Sequence, residues 1–235
     1  MGEWELAGRF AVVTGGSRGI GRAVAAGLVR SGATVMVVGR AWSGVEQAAR
    51  ELGAQAFAVD LRLEADVAAL AAATQDRFGR VDVVVHAAGA FELTPIAETS
   101  VASFDRMLAV NLRGAFLLAS AFLPEMLTRG SGHFLSIGSV AGRLAMPGNG
   151  AYSASKFGLR GLHAVLDAEL RGTGVRATLV EPAATDTGLW DGVAATRGVP
   201  ARPDMLRPEA VADAVLFALT RSPETAVRNI ILDRN

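Results

Sequence analysis

Tyr152 and Lys156 stand four residues apart in Tyr152-Ser153-Ala154-Ser155-Lys156. On a helix that spacing puts a phenol and an ammonium on one face. A phenol has a reference pKa of about 10, too high for efficient proton exchange at neutral pH, and a nearby ammonium favours the phenolate. The pair could therefore serve as an acid/base. Ser139, thirteen residues before Tyr152, follows a β-rich apolar run and offers a hydroxyl to an oxygen on which charge develops. Asn111 lies in Val110-Asn111-Leu112-Arg113-Gly114. Each residue taken alone has a plainer reading. The tyrosine suits the edge of a core, the lysine a solvated face, the serine a strand end, and the asparagine a break in a helix.

A second constellation lies near the start of the chain. Phe10-Ala-Val-Val-Thr14 runs into Gly15-Gly16-Ser17-Arg18-Gly19-Ile20-Gly21, and a helical pattern follows at once. A strand, a glycine turn and a helix N-terminus form an anion site, because backbone N–H groups point outward and missing Cβ atoms admit a pyrophosphate. A purely structural turn is the plain alternative. The second strand run ends in Val37-Val38-Gly39-Arg40. A carboxylate at that place, about 20 residues past the turn, would bond a ribose 2′-hydroxyl. Arg40 instead offers a fork for a 2′-phosphate, and Arg18 a second positive charge; otherwise both are solvated surface arginines.

Other chemistries are disfavoured. The chain has no cysteine, so thiolate nucleophiles, disulfides and zinc-thiolate sites are excluded. Its histidines, His86, His133 and His163, have no ligand spacing, and no metal site is expected. Twenty-three basic residues balance twenty-three acidic ones, which suggests neither a nucleic-acid nor a membrane partner. The apolar stretch Ala115 to Leu127 is short for a membrane span, and the acidic opening MGEWELAGRF lacks the order of a secretory signal. A cytoplasmic protein is expected.

These residues need a scaffold that brings distant segments together. Short apolar runs recur at Phe10–Thr14, Thr34–Val38, Ala54–Val59, Val81–His86, His133–Gly138, Val175–Glu181 and Val227–Leu232, with helical spacing between them. Long helices are expected over Val101–Arg129 and Tyr152–Gly172. The nearly continuous apolarity of the strand runs marks strands buried on both faces of a parallel sheet. The expected architecture is α/β: a single Rossmann-fold domain over residues 1–235, a doubly wound parallel sheet of about seven strands with helices on both faces. Ligands bind such sheets beyond the carboxyl ends of the strands, where the chemistry-bearing residues fall.

Together the glycine turn, Asn111, Ser139, Tyr152 and Lys156 resemble the short-chain dehydrogenase/reductase family over roughly residues 8 to 232. Glu181-Pro182-Ala183-Ala184-Thr185-Asp186-Thr187 is similar to that family's segment ending in a nicotinamide-contacting threonine, here Thr187. The resemblance implies an NADP(H)-dependent oxidoreductase acting reversibly on a small-molecule carbonyl/alcohol pair. It makes Asn111, Ser139, Tyr152 and Lys156 catalytic. It assigns to the cofactor Gly15, Ser17, Arg18, Gly19, Ile20, Gly21, Arg40, Asp60, Leu61, Ala88, Gly89, Tyr152, Lys156, Pro182 and Thr187, with Asp60 at the adenine ring. Asn111 would hold a water that relays protons to Lys156, and Lys156 would bind the nicotinamide ribose. A homotetramer, or a homodimer, is implied by family habit. His86-Ala87-Ala88-Gly89 departs from the family's Asn-Asn-Ala-Gly, leaving His86 as a strand-end filler, and Ala183 replaces a glycine. A substrate cover is expected near residues 188–207, with Trp190, Val193, Met205, Phe91, Leu144 and Met146 as an apolar lining. The alternatives are an NAD-linked alcohol dehydrogenase, against which Arg40 argues, and a non-catalytic NADP-binding regulatory protein.

Overall fold

In a computed structural model, described for residues 6–191, 193 and 200–235, the chain forms one seven-stranded sheet. Its strands are β1 (Phe10–Thr14), β2 (Thr34–Gly39), β3 (Gln55–Ala58), β4 (Val83–His86), β5 (Gly132–Ile137), β6 (Val175–Pro182) and β7 (Asn229–Leu232). Every pairing is parallel, in the order β3-β2-β1-β4-β5-β6-β7. Helices α1 (Gly19–Arg30), α2 (Trp42–Leu52) and α7 (Pro208–Leu219) cover one face; α3 (Glu64–Phe78), α5 (Gly114–Arg129) and α6 (Gly150–Glu169) cover the other. Helix α4 (Val101–Leu108) leads into α5.

Burial explains where the strands hold to their expected bounds. Val12, Val13, Met36, Val37, Val38, Val84, Val85, Phe134 and Leu135 are fully enclosed, because the central strands have helices on both sides. The edge strands lack that cover. β3 is only half-buried and shorter than the run Ala54–Val59, and β7 alternates between exposed and half-buried and begins at Asn229 rather than Val227.

The expected helix Val101–Arg129 is continuous but not uniform. Residues Ala109–Arg113 form a π-helical turn between α4 and α5, and Asn111 is its one buried residue. By length and composition this 29-residue helix could cross a membrane, unlike the shorter apolar run inside it. Half of its most apolar window is buried, and Leu118, Phe122 and Met126 pack on the sheet.

The topology fixes where a ligand must go. The chain leaves β1 toward β2 on one side, while β4 lies on the other, so β1 and β4 flank the switch point. The glycine turn and the loop after β4 open directly above it.

Candidate functional site

The glycine turn is shaped by close backbone approach. Gly15 has φ +66°, and a Cβ there would sit 2.8 Å from the Cα and N of Ala88. A Cβ on Gly21 would lie 2.4 Å from the carbonyl oxygen of Gly15. Only glycine lets the turn fold back against the start of α1 and against the end of β4. Gly19 begins α1, where a Cβ would meet the methyl of Thr187 at 3.0 Å, and Arg18 precedes it without a side-chain cap. The first N–H groups of a twelve-residue helix therefore face the switch point with no cap from their own turn. Ile20 packs partly into the core behind them. This cradle fits a dinucleotide pyrophosphate.

The adenosine side follows along β2 and β3. Ser17 lies between Gly39 and Gly44, each of which would put a Cβ 3.7 Å from it. Arg18 and Arg40 are exposed, and neither makes an ion pair among the described residues. Asp60 lies two residues beyond β3, not at its end. Its carboxylate accepts from Arg62 Nε at 2.9 Å, and that pairing, helped by the charge of Arg40, holds it below the usual carboxylate range. Leu61 is buried against Gly114, so its side chain belongs to the core.

The four expected catalytic residues come together from three elements. Ser139 opens a short 3-10 turn after β5, and its hydroxyl accepts the Ala141 N–H at 3.1 Å. Tyr152 and Lys156 project from the first turns of α6. The Ser139 hydroxyl lies on the Tyr152 side of its 3-10 turn and favours the phenolate form of that side chain. Lys156 Nζ donates to the Ile137 carbonyl at 2.8 Å and lies 5.6 Å from the centre of the Tyr152 ring. Asn111 is fully buried, and its side chain forms a clasp. Oδ1 accepts the Ala90 N–H at 2.7 Å, while Nδ2 donates to Ala90 O and to Ser155 Oγ, both at 2.9 Å. Ser155 Oγ in turn donates to the Tyr152 carbonyl at 2.7 Å.

Without a cofactor, burial dominates the electrostatics of the pair. Burial pushes Tyr152 up to about 12, opposed only by the Ser139 hydrogen bond. Burial also brings Lys156 down to about 8. The anticipated lowering of the phenol by the ammonium is absent from the protein alone. Taking a charge out of water costs both groups, and Nζ is turned to the Ile137 carbonyl.

The remaining site residues bound the cleft. Ala88 and Gly89 follow β4. The Ala88 N–H donates to Thr14 Oγ1 at 3.3 Å, and a Cβ on Gly89 would meet Asn111 Oδ1 at 3.6 Å. Pro182 ends β6 and is buried. Thr187 caps a short turn, Gly188–Trp190, through its hydroxyl. Arg202 binds Asp186, Asp191 and the Thr187 carbonyl together, tying this segment down. Of the expected cover at 188–207, residues 192 and 194–199 lie outside the described residues. Phe91 sets its ring edge-on to Tyr152 at 4.8 Å, and Trp190 meets Phe91 at 5.0 Å. Leu144 and Met146 are exposed on the adjoining loop. Met205 is buried and drops out of the expected lining. Two cavities of about 300 and 350 Å³ lie elsewhere, between α3 and α5 and beside the α4–α5 junction.

Spacing could not reveal several contributors. The Ile137 carbonyl, Ser155, Thr14 and His86 act through contacts 19 to 72 residues apart in sequence, and none of these residue types signals such a role. Among the described residues no group of acidic residues or histidines could hold a metal.

Residues 9–198 match the family model for short chain dehydrogenase. The chain belongs to the short-chain dehydrogenase family. As an oxidoreductase family member it binds a nicotinamide cofactor and acts on a small molecule. A D-threitol dehydrogenase from Mycolicibacterium smegmatis is 38% identical over 81% of this chain and 76% of that protein. A glycine betaine reductase from Emericella nidulans is 38% identical over 97% of this chain, which spans only 19% of that relative's length. Among solved structures, a metagenomic short-chain oxidoreductase in complex with NADP superposes with a TM-score of 0.85 at 33% identity, covering 98% of each chain.

Tyr152 is the chain's only tyrosine, so phenol ionisation can be read without interference. In the cofactor-free protein, ultraviolet difference titration should show no tyrosinate through the reference value near 10. A transition below that value would contradict the burial described here.

Proposed function

We propose that this chain is an NADPH-dependent reductase that converts a carbonyl to an alcohol, reversibly, with Tyr152 as acid/base. The observation that carries the reading is that the buried Tyr152 and Lys156 stand side by side, with Nζ 5.6 Å from the ring centre and Ser139 acting on the same phenol. A phenol raised to about 12 is fully protonated at neutral pH and ready to donate. A nicotinamide cofactor whose pyrophosphate is held by the glycine turn would supply the hydride. Tyr152 gives its proton to the carbonyl oxygen, and Ser139 hydrogen-bonds the same oxygen as charge builds on it. Below about pH 8 Lys156 carries a positive charge close to the phenolate that remains. Asn111 and Ser155 hold the first turn of α6 in place.

Arg18 and Arg40 support the phosphorylated cofactor, since both are exposed and free of ion pairs among the described residues at the end of β2 and the turn facing it. That a relative of 33% identity holds NADP agrees with this. An NAD-linked alcohol dehydrogenase would want a carboxylate where Arg40 stands. A purely regulatory NADP-binding protein would have no use for a buried Tyr152–Lys156 pair beside Ser139. Phe91 and Trp190 make the substrate wall aromatic and favour a carbonyl bearing an apolar or aryl group over a polyol. A quaternary ammonium carbonyl belongs in any substrate panel, because aromatic faces attract such cations and one relative is a glycine betaine reductase.

Three outcomes follow. NADPH should bind at least about tenfold tighter than NADH in fluorescence titration, some 1.4 kcal/mol, and Arg40→Asp should erase or reverse the difference; equal affinities for the wild type would overturn the preference. Tyr152→Phe should lower turnover by at least about a hundredfold while cofactor affinity stays nearly unchanged. Carbonyl reduction should decline as pH rises through about 8, where Lys156 loses its proton, and Lys156→Arg should move that limb upward. A flat wild-type profile through that range would remove Lys156 from the mechanism.

For assembly we propose a homotetramer. Phe116, Phe157 and Val165 are exposed on α5 and α6, and Phe217 and Ile231 on α7 and β7, giving two separate apolar faces. Light scattering at micromolar concentration should return four times the 24.3 kDa chain mass. A monomer would refute this.

A further inference from the structure

Phe91 is held from both sides along its own chain. Ala90 before it is gripped through both backbone groups by the Asn111 side chain. Glu92 after it is gripped by α4. Its Oε2 accepts from Ser103 Oγ and from Arg106 Nη2, the latter at 2.6 Å, and its Oε1 accepts from Thr94 Oγ1 at 3.1 Å. Arg106 Nη2 also donates to Ser103 Oγ at 3.1 Å. The donors and acceptors match: the Ser103 hydroxyl gives its proton to the carboxylate and receives one from the guanidinium. Ser103 is buried, and Ser100 caps α4 by accepting the Ser103 N–H at 3.1 Å. That cap fixes the turn from which the hydroxyl projects.

Glu92 is partly exposed, yet both its oxygens are taken by its own loop and by α4. It is a fastener rather than a group waiting for a ligand. Ser103 first, then Thr94 and Arg106, hold its carboxyl below the usual range, so it is charged at neutral pH. An exposed ion pair by itself adds little to stability. What this one supplies is a fixed place for the loop on α4, at the residue next to Phe91. Further on, the Thr94 N–H donates to the Gly148 carbonyl at 2.7 Å. A Cβ on Gly150, the first residue of α6, would lie 2.5 Å from Ile96 Cγ1. The loop therefore packs from α4 across to the helix that carries Tyr152, with no slack between them.

Phe91 is the middle of three rings. It stands edge-on to Tyr152, with centroids 4.8 Å apart at 89°, and meets Trp190 at 5.0 Å and 63°. Met107, the residue after Arg106, is buried in one cluster with Tyr152, and Phe91 packs against that cluster. Helix α4 thus fastens the loop through Ser103 and Arg106 and supports the ring's surroundings through Met107. We propose that Glu92 is a positioning residue: its clasp by Ser103 and Arg106 sets the seat of Phe91 between Tyr152 and Trp190, and with it the bulk of the carbonyl substituent that the cleft admits. The substrate limit rests on the carbonyl-reductase reading, and the seat of the ring does not.

Tyr152 is the only tyrosine, so its ring resonances report the neighbouring ring by NMR, without turnover. Phe91→Leu removes that ring and supplies the reference shift. Glu92→Ala should move the Tyr152 resonances at least halfway toward the reference. Glu92→Gln keeps an oxygen for Ser103 and Arg106 and should stay nearer the wild type. Resonances of Glu92→Ala that coincide with wild type would overturn the proposal. In turnover with NADPH, Glu92→Ala should raise the KM of a bulky aryl ketone at least about fivefold, with cofactor KM within about twofold and the ketone KM recovered in Glu92→Gln. An unchanged ketone KM, or equal changes in both KM values, would refute the positioning role. If Glu92→Ala does not fold, Arg106→Met and Ser103→Ala each open one arm of the clasp. A shift toward the Phe91→Leu values in either supports the seat, and none in both refutes it. A wild type that reduces no carbonyl, with the Glu92→Ala shift present, would sink the catalytic reading and leave the seat of Phe91 standing.

Discussion

The site depends on how closely the glycine turn after β1 approaches the end of β4. There is no room at Gly15 for a Cβ beside Ala88, and the two strand ends are further joined by the Ala88 N–H to Thr14. That contact fixes the height at which the uncapped start of α1 stands above the sheet. It also fixes where the loop carrying Ala90 and Phe91 begins. The cofactor cradle and the cleft that holds Tyr152 therefore share one boundary. A movement of either strand end would be felt on both sides, because neither backbone has slack to absorb it.

Exclusion of water sets the chemistry of the second half. The Tyr152 phenol and the Lys156 ammonium are both enclosed, and each is pushed toward its neutral form. The opposite shifts bring a protonated acid and a readily neutralised ammonium side by side. Neither is stabilised by a carboxylate. The lysine leans on the Ile137 carbonyl, the last residue of β5, and the same strand end delivers Ser139 two residues later. One strand terminus thus orients both partners of Tyr152. Aromatic packing from Phe91 helps keep the tyrosine dry.

The π turn joins these halves. A regular α-helix through Ala109–Arg113 would rotate Asn111 away from its buried place. The extra residue in the turn lets the amide meet both backbone groups of Ala90 and the hydroxyl of Ser155. Such bulges tend to lie at functional positions, where a backbone irregularity is held by polar contacts rather than relaxed away. Here those contacts run to the loop after β4 and to the first turn of α6.

By itself the sequence determined whatever depends on local pattern. Continuous apolar runs separated by helical spacing specified buried parallel strands and their connections, and glycines between a first strand and a first helix specified an anion cradle. The four-residue interval of Tyr152 and Lys156 placed them on one face of α6. The edge strands were less legible, since β3 and β7 lack the two-sided burial that makes the pattern continuous. Only the tertiary structure decided what depends on contacts between distant segments. It turned Asn111 into a clasp within a π turn, gave Lys156 the Ile137 carbonyl as its partner, and buried Met205 away from the cleft. It also set burial against the neighbouring charge at Tyr152, because proximity in sequence shows the charge but not the loss of water around it. His86 looked like filler along the chain, and only the pairing of β1 with β4 set its fully buried ring against the Thr14 hydroxyl. Desolvation and donor–acceptor matching are properties of an enclosed volume, and no interval between residues encodes them.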